Sequence, residues 1–377
     1  MKPEHYSLGR RAAPPERHRV SRNRTTAPGR PLSDKWLVSA TPGLLSFVEA
    51  ECARLGIDIV SAQGDELGVQ TTTPEKLSKL RTAHACYYPV SLPVARPQGI
   101  LSCEFHPALQ AAFTKVLGLQ RSQRFSALRL EGAGNDTATF RRLGDLFSQF
   151  TKLPIDAEDG DLVVRVRPNP SMQGWQVLIR TTPRPLATRS WRAVDYQGAV
   201  SGPLAAALVA LSRPNREDSV VNLACGSSTL LIERLIAAPV ASAIGIDIAE
   251  EAIRASKSNI AAAAKAYPRS SLPSIQLLTG SFTAVPLPDR SCSVVLCDPP
   301  WGELARSLRG VEKQYDGLIK EAHRILRPEG SLCVLTQRPE FILSPCERGF
   351  VLEQSLKVSQ GGFTPTLLVL RKRNATD

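Results

Sequence analysis

Three short segments in the second half of this 377-residue chain hold residue types that could do chemistry. The first is Val220-Val221-Asn222-Leu223-Ala224-Cys225-Gly226-Ser227-Ser228-Thr229, an apolar run that gives way to small residues and then to a helix start. A turn of this kind lets backbone approach a ligand beyond the carboxyl end of a strand, with Gly226 clearing a side chain from the path. One glycine alone is a weak signal, and a plain strand-to-helix turn reads the same way. The second is Gly245-Ile246-Asp247-Ile248, about twenty residues further on, where a carboxylate can accept both hydroxyls of a ribose. An aspartate that only caps the following helix is the alternative. The third is Asp298-Pro299-Pro300-Trp301-Gly302, at the end of another apolar run. Two prolines fix the backbone and leave carbonyls free to accept, Asp298 adds an acceptor, and Trp301 offers a flat face to a base. An amino group that donates both hydrogens there is held with its lone pair out of the ring plane, aimed at a methyl sulfonium.

These segments need strands to carry them. SVVNLA (219–224), SAIGID (242–247), SIQLLTG (274–280), CSVVLCD (292–298) and GSLCVLT (330–336) are near-continuous apolar runs. Helical patterns fall between them at Thr229 to Ala237, Ala249 to Tyr267 and Leu304 to Leu326. Apolar strands without alternation, separated by helices, predict an α/β doubly wound parallel sheet covered on both faces. FVLEQSLKV and TPTLLVLRK, joined through Gln360-Gly361-Gly362, add a terminal hairpin.

The front half has a different character. Residues 1–194 carry 27 Lys+Arg against 17 Asp+Glu, a net of +10, whereas residues 195–377 carry 20 against 18, a net of +2. A basic front joined to a nearly neutral rear predicts a polyanion-binding part and a separate chemical part. Residues 1–34 are Pro- and Arg-rich with little apolar spacing, and read as a disordered basic tail. From 35 to 95, strands at 36–40, 58–62, 66–70 and 84–92 and helices at 44–55 and from Thr73-Pro74 give the ferredoxin-like order β-α-β-β-α-β. Residues 96–192 read as a second α+β unit. Its helices are His106 to Leu117 and Thr137 to Thr151, and its strands lie at 124–130, 161–167 and 174–182. Arg124, Arg129, Arg165, Arg167 and Arg180 interrupt those strands, and alternation would gather several on one face as a phosphate-tracking surface.

No run of residues is long and apolar enough to span a bilayer, and the basic N-terminus lacks the apolar segment of a secretory signal. Eight cysteines, without a CxxC pair or clustered histidines, argue against zinc and against a disulfide framework, so a reduced cytoplasmic chain with no metal is expected.

Residues 193–377 resemble the class I S-adenosylmethionine-dependent methyltransferases, in which a Rossmann-like doubly wound sheet ends with an antiparallel last strand. DPPWG (298–302) resembles that family's [N/D]-PP-[Y/W/F] motif for amino methylation. The front half resembles the THUMP-domain tRNA methyltransferases, in which ferredoxin-like and THUMP-like α+β domains precede the catalytic one. SATPGLLSFVEAE (39–51) is similar to their opening strand-turn-helix, and RPLATRSWR (184–192) to the segment leaving THUMP, with Arg189 and Arg192 at its arginine positions. NLACGSSTLLIE (222–233) is similar to their D-P-x-C-G-S-G-T-[IL]-x-I-E loop. Three positions depart: Asn222 stands for the aspartate, Ser228 for the second glycine, and Ser281 for an acidic residue beside the adenine amino group.

The resemblance implies methylation of guanine N2 in tRNA, with the acceptor end held by the THUMP unit; a monomer is expected. Asp298, Pro299, Pro300 and Trp301 are then catalytic. Asn222, Ala224, Cys225, Gly226, Ser227, Asp247, Ile248, Ser281 and Phe282 hold S-adenosylmethionine, and the seven arginines hold RNA. Cys225 is a small packing residue rather than a nucleophile. Two rivals stand beside this reading. DPPW suits the N6 amine of adenine equally well, and a vestigial cofactor fold would leave a non-catalytic RNA-binding protein.

Overall fold

The computed structural model describes residues 34–119, 124–268, 270, 272–300, 308–346, 349–359 and 361–374. The basic tail through residue 33, Trp301, Gly302 and Gln360 lie outside the described residues.

The front half builds one seven-stranded sheet. Its elements run β1 (Asp34–Ala40), α1 (Leu45–Leu55), β2 (Asp58–Gln63), β3 (Glu66–Thr71), β4 (Ala83–Leu92), α2 (His106–Leu119), β5 (Leu128–Glu131), α3 (Ala138–Thr151), β6 (Leu162–Pro168) and β7 (Trp175–Arg180). The strand order is β2-β3-β1-β4-β7-β6-β5. Strand β4 pairs antiparallel with β7, from Tyr87↔Arg180 to Leu92↔Trp175, so the α+β patterns on either side of residue 95 share a single sheet. Val164, Val166, Val177 and Ile179 face α2 and α3 in one core, and Trp36, Val38, Leu67 and Val69 face α1 in another. The segment after Thr73-Pro74 forms a 3₁₀ helix, Pro74–Lys79, rather than an α-helix. Only a few residues separate Pro74 from Leu80, and both Leu77 and Leu80 must reach the core, which a tight, short turn allows. Strand β5 is shorter than its apolar pattern, beginning at Leu128 rather than 124.

The rear half runs α4 (Gly202–Leu211), β8 (Ser219–Leu223), α5 (Thr229–Ala237), β9 (Ser242–Asp247), α6 (Glu250–Ala266), β10 (Ile275–Thr279), β11 (Cys292–Cys297), α7 (Leu308–Ile325), β12 (Leu326–Thr336), α8 (Pro339–Cys346), β13 (Phe350–Lys357) and β14 (Thr366–Lys372). The strand order is β10-β9-β8-β11-β12-β14-β13. Neighbours are parallel up to β12, and β14 is antiparallel to both β12 and β13. Successive residues of β8 enter opposite cores: Val220 packs with Leu230 and Leu296, and Val221 and Leu223 with Val295 and Leu318. Both faces are buried, which is why these strands read as unbroken apolar runs; each such side chain contributes about 1.5–3 kcal/mol. Among the described residues no helix is long and apolar enough to cross a membrane.

The two halves join through a shared core. Leu44, at the start of α1, is fully buried in the same cluster as Trp191, Leu204, Val358 and Leu367 of the rear. The turn at Gly43 adopts φ +93°, where an added Cβ would stand 3.0 Å from the Lys357 carbonyl oxygen. Ser359 N donates to Pro42 O at 3.1 Å across the same seam.

Candidate active site

The order of the rear sheet reverses at β8, with β9 on one side and β11 on the other, and ligands of such sheets lie beyond the carboxyl ends of the strands at that point. All three chemical segments emerge there. The loop after β8 takes an unusual path: Ala224 (φ +49°), Gly226 (φ +53°) and Ser228 (φ +64°) all lie in the left-handed region, and only one of them is glycine. A non-glycine residue in that region costs about 1–2 kcal/mol, so something must hold the loop.

Hydrogen bonds hold it from two sides. From β9, Ile246 O accepts from Cys225 N at 2.9 Å and Asp247 Oδ2 accepts from Gly226 N at 2.8 Å. From α6, Ser256 Oγ donates to Gly226 O at 2.7 Å and lies 2.8 Å from Ser228 Oγ. With its one proton on Gly226 O, Ser256 must accept from Ser228. Asn259 Nδ2 donates to Ser227 O at 3.4 Å, and Asn259 Oδ1 accepts from Val194 N at 2.9 Å. Ser228, where the resemblance expects a glycine, is thus fully buried and tied to α6 by its own hydroxyl. Ser256 and Asn259 were missed by sequence reasoning. The available signal was two polar residues, three apart, on the buried stripe that also holds Ala252 and Ala263.

Asn222 donates through Nδ2 to Leu223 O at 3.3 Å and to Leu296 O at 3.1 Å, bridging β8 and β11. Its Oδ1 and the Ser227 Oγ are buried and have no hydrogen-bond partner among the described residues. Buried polar atoms left without a partner need a ligand or water to complete them. Beside them, Asp247 Oδ1 accepts from Ala249 N at 3.0 Å, so the carboxylate also serves the turn into α6. Ile248 exposes 70% of its surface next to Asp247, an apolar face open to solvent. Cys225 is buried against Gly245, where an added Cβ would stand 3.2 Å from its Sγ. Burial, then the charge of Asp247, push its thiol up to about 12, which suits packing and not nucleophilic attack.

Gly280 N donates to Asp247 O at 2.9 Å and brings the end of β10 to this edge. Ser281 is spent locally: its Oγ accepts from Thr283 N at 3.2 Å and meets Thr283 Oγ1 at 2.8 Å. Phe282 packs, partly buried, on the core below. Cys297 of β11 pairs with Leu223 of β8, so Asp298 leaves its strand beside the loop that starts at Ala224. Asp298 is half-buried, Pro299 buried and Pro300 exposed; Trp301, the expected stacking face, lies outside the described residues.

The arginines divide into two groups. Arg129, Arg165, Arg167 and Arg180 alternate with core residues of β5, β6 and β7 and share the sheet face opposite α2 and α3. Glu131 pairs with Arg129 at 2.9 Å and Arg165 at 3.0 Å, and Glu66 takes Arg167 in a two-pronged bond at 2.8 and 2.7 Å. Arg180 is buried and donates to Thr182 O, Asp161 O and Pro183 O. Among the described residues, Arg129, Arg165, Arg167 and Arg180 line this face with Glu131 and Glu66 as their carboxylate partners, and the charge of Asp161 also reaches Arg180. Arg124, just before β5, is exposed. Arg189 and Arg192 turn inward to the rear half instead. Arg189 Nε donates to Glu233 Oε1 at 2.7 Å, and Arg192 Nη2 to Thr229 Oγ1 at 3.2 Å and Val200 O at 2.8 Å. Among the described residues no group of three or more His, Cys, Asp or Glu is placed to hold a metal ion.

A doubly wound sheet with an antiparallel strand β14, and strand ends that bring the loop after β8, the acid of β9 and the Asp-Pro-Pro after β11 to one edge, is the fold of a class I methyltransferase domain. Residues 189–357 match the UPF0020 family, described as an RMKL-like methyltransferase domain. The chain is similar to the tRNA (guanine(6)-N2)-methyltransferase of Thermus thermophilus, 27% identical over 234 residues that cover 62% of this chain and 67% of that one. It is 26% identical over 151 residues to the U6 snRNA (guanine-N(2))-methyltransferase THUMPD2 of Mus musculus, which covers 40% of this chain and 26% of that protein. In structure it resembles TrmN from Thermus thermophilus, with a TM-score of 0.66 at 23% identity over 90% of this chain and 99% of the other. A predicted N6-adenine-specific DNA methylase from Listeria monocytogenes superposes with a TM-score of 0.62 at 17% identity, over 90% and 96%. At these identities the two structures speak to the fold.

Proposed function

We propose that this chain transfers a methyl group from S-adenosylmethionine to the exocyclic N2 amine of a guanine in tRNA. The observation that carries the reading is the juxtaposition of Asp298-Pro299 with the loop at Ala224–Ser228, one acceptor set on each of two neighbouring parallel strands. The cofactor supplies the electrophilic methyl when bound. Asp247 accepts the ribose hydroxyls with the lone pairs left over from Gly226 N and Ala249 N, while Ile248 and Phe282 offer apolar contact to the adenine. Asn222 Oδ1 at the end of β8 and Ser227 Oγ in the loop, buried and without a partner among the described residues, accept from the methionine end. Asp298 and the Pro299 carbonyl accept both hydrogens of the amine, so its lone pair leaves the ring plane and points at the methyl carbon. Trp301 stacks the base, and the arginine face of the front sheet tracks the phosphates, with Arg124 at its rim. Positioning provides most of the acceleration, and the transfer requires neither a metal nor a covalent nucleophile. Support for a guanine in tRNA comes from the Thermus thermophilus relative's activity and the basic front half.

Methyl transfer from labelled cofactor to unmodified tRNA transcript, followed by nucleoside analysis, tests the reading. N2-methylguanosine from wild type, with Asp298→Ala still binding RNA but slower by about 100-fold or more, is the expected result. N6-methyladenosine would move the substrate to adenine. RNA binding without transfer would make the chain a binding protein with a vestigial site.

A further inference from the structure

Glu233 is a carboxylate with no exposed side-chain surface, set in a helix that is apolar apart from Thr229, Glu233 and Arg234 and that begins where the cofactor loop ends. Its Oε1 accepts from Arg189 Nε at 2.7 Å, and its Oε2 accepts from Arg81 Nε at 2.9 Å and from Arg81 Nη2. Neither partner belongs to the methyltransferase sheet. Arg81 precedes β4 of the front sheet, and Arg189 lies in the segment that joins the two halves. Arg189 also donates to Arg81 O and Leu186 O, both at 2.6 Å. Glu51 of α1 fixes the Arg81 end, its Oε2 accepting from Arg81 N and Thr82 N at 2.9 Å and from Thr82 Oγ1 at 2.7 Å. A continuous chain of charge-assisted bonds therefore runs Glu51, Arg81, Glu233, Arg189, from the front sheet into α5. Gly202 makes room for it: an added Cβ there would collide with the Arg189 guanidinium. Burial alone would raise the Glu233 pKa, but Arg189 and Arg81 outweigh it and hold the carboxyl below its ordinary value.

A buried ion pair of this kind contributes little to stability relative to an apolar contact, and its best-attested use is to fix register. The register here is that of the front sheet relative to α5, and α5 carries the loop that faces Asp298. We infer that Glu233 is a positioning residue that sets the arginine face of the front sheet at a fixed placement from Asp298, so that RNA held in front presents its target base to the amine site. This inference rests on the proposed RNA methyl transfer.

The test compares two substrates in the full chain: unmodified tRNA transcript, and a short RNA that carries the target nucleotide unmethylated but cannot reach the front sheet. Glu233→Gln keeps the shape and removes the charge. Arg81→Lys keeps the charge and removes the two-pronged bond, and serves if the first variant does not fold. At saturating cofactor and RNA, kcat on tRNA should fall on the order of 10- to 100-fold, with the Kd for tRNA unchanged and kcat on the short RNA close to wild type. An equal loss on both RNAs, or an unchanged ratio between them in a folded variant, would overturn the positioning role. Wild type that methylates neither RNA would sink the proposed function instead, so the two failures are distinguishable.

Discussion

Gly226 N and Asp247 Oδ2 lie 2.8 Å apart in a hydrogen bond that joins the loop after β8 to the end of β9. The carboxylate is therefore oriented by the protein itself, through Gly226 on one oxygen and Ala249 on the other, and keeps its outer lone pairs for a ligand. Asp247→Ala removes both the ribose acceptor and the tie to the loop. Affinity for S-adenosylhomocysteine by calorimetry should drop by about tenfold or more, equivalent to about 1.4 kcal/mol. Unaltered affinity would show that the carboxylate only shapes the turn.

Ser228 offers a cleaner separation of backbone from side chain. Its φ of +64° favours glycine, whereas its hydroxyl bond to Ser256 favours serine. Ser228→Ala keeps the strained φ and deletes the bond, so thermal unfolding should show a loss of about 1–2 kcal/mol. Ser228→Gly relaxes the backbone and should come out close to neutral. Equal losses for both would mean that the hydroxyl bond dominates and the φ carries no strain.

Acid should loosen the seam between the halves through Glu233. Its carboxyl sits below the ordinary value in the folded chain, so the folded state binds fewer protons than the unfolded one near pH 4. The stabilisation is present above the unfolded pKa of about 4.3 and is lost as pH falls through the folded value. Urea midpoints should therefore decline on acidification below about pH 4.3 in wild type. Glu233→Gln should begin about 3–5 kcal/mol less stable at neutral pH, because two arginines are left facing an amide. The variant should show a shallower acid dependence, and an identical slope would place the acid sensitivity elsewhere.

The arginine face makes a salt-dependent prediction. Arg165 and Arg167 are already paired with Glu131 and Glu66, so phosphates must compete for them. Replacing both arginines with alanine should weaken tRNA binding and reduce the slope of log Kd against log salt by about one to two. Glu66→Gln, which frees Arg167, should strengthen binding. If neither change moves the slope, the face does not track RNA.

Much of the rear half was legible because its signals are local. Apolar runs such as 219–224 and 292–298 follow directly from strands buried on both faces, and the three chemical segments all fall at strand ends that the topology brings to one edge. The terminal hairpin was legible too, since β13 and β14 are adjacent in sequence and in the sheet. Departures from the family loop were visible as residue types, but their meaning was not. Ser228 reads as a defect until Ser256, 28 residues on, is seen to accept from it.

The sequence by itself determined the doubly wound α/β sheet, the placement of Asn222, Asp247 and Asp298 at strand ends, and the alternation that puts Arg129, Arg165 and Arg167 on one face. Periodicity and motif spacing are properties of neighbouring residues, so they survive without any knowledge of the fold. Only the tertiary structure decided which charges meet. Arg189 reads as one more basic residue for a polyanion, yet its guanidinium is buried on Glu233, 44 positions away, with Arg81 arriving from 152 positions away on the other side. Pairings of that range are set by how two sheets pack. The cost of burying Glu233 makes its partners obligatory, but only the packing selects which arginines they are.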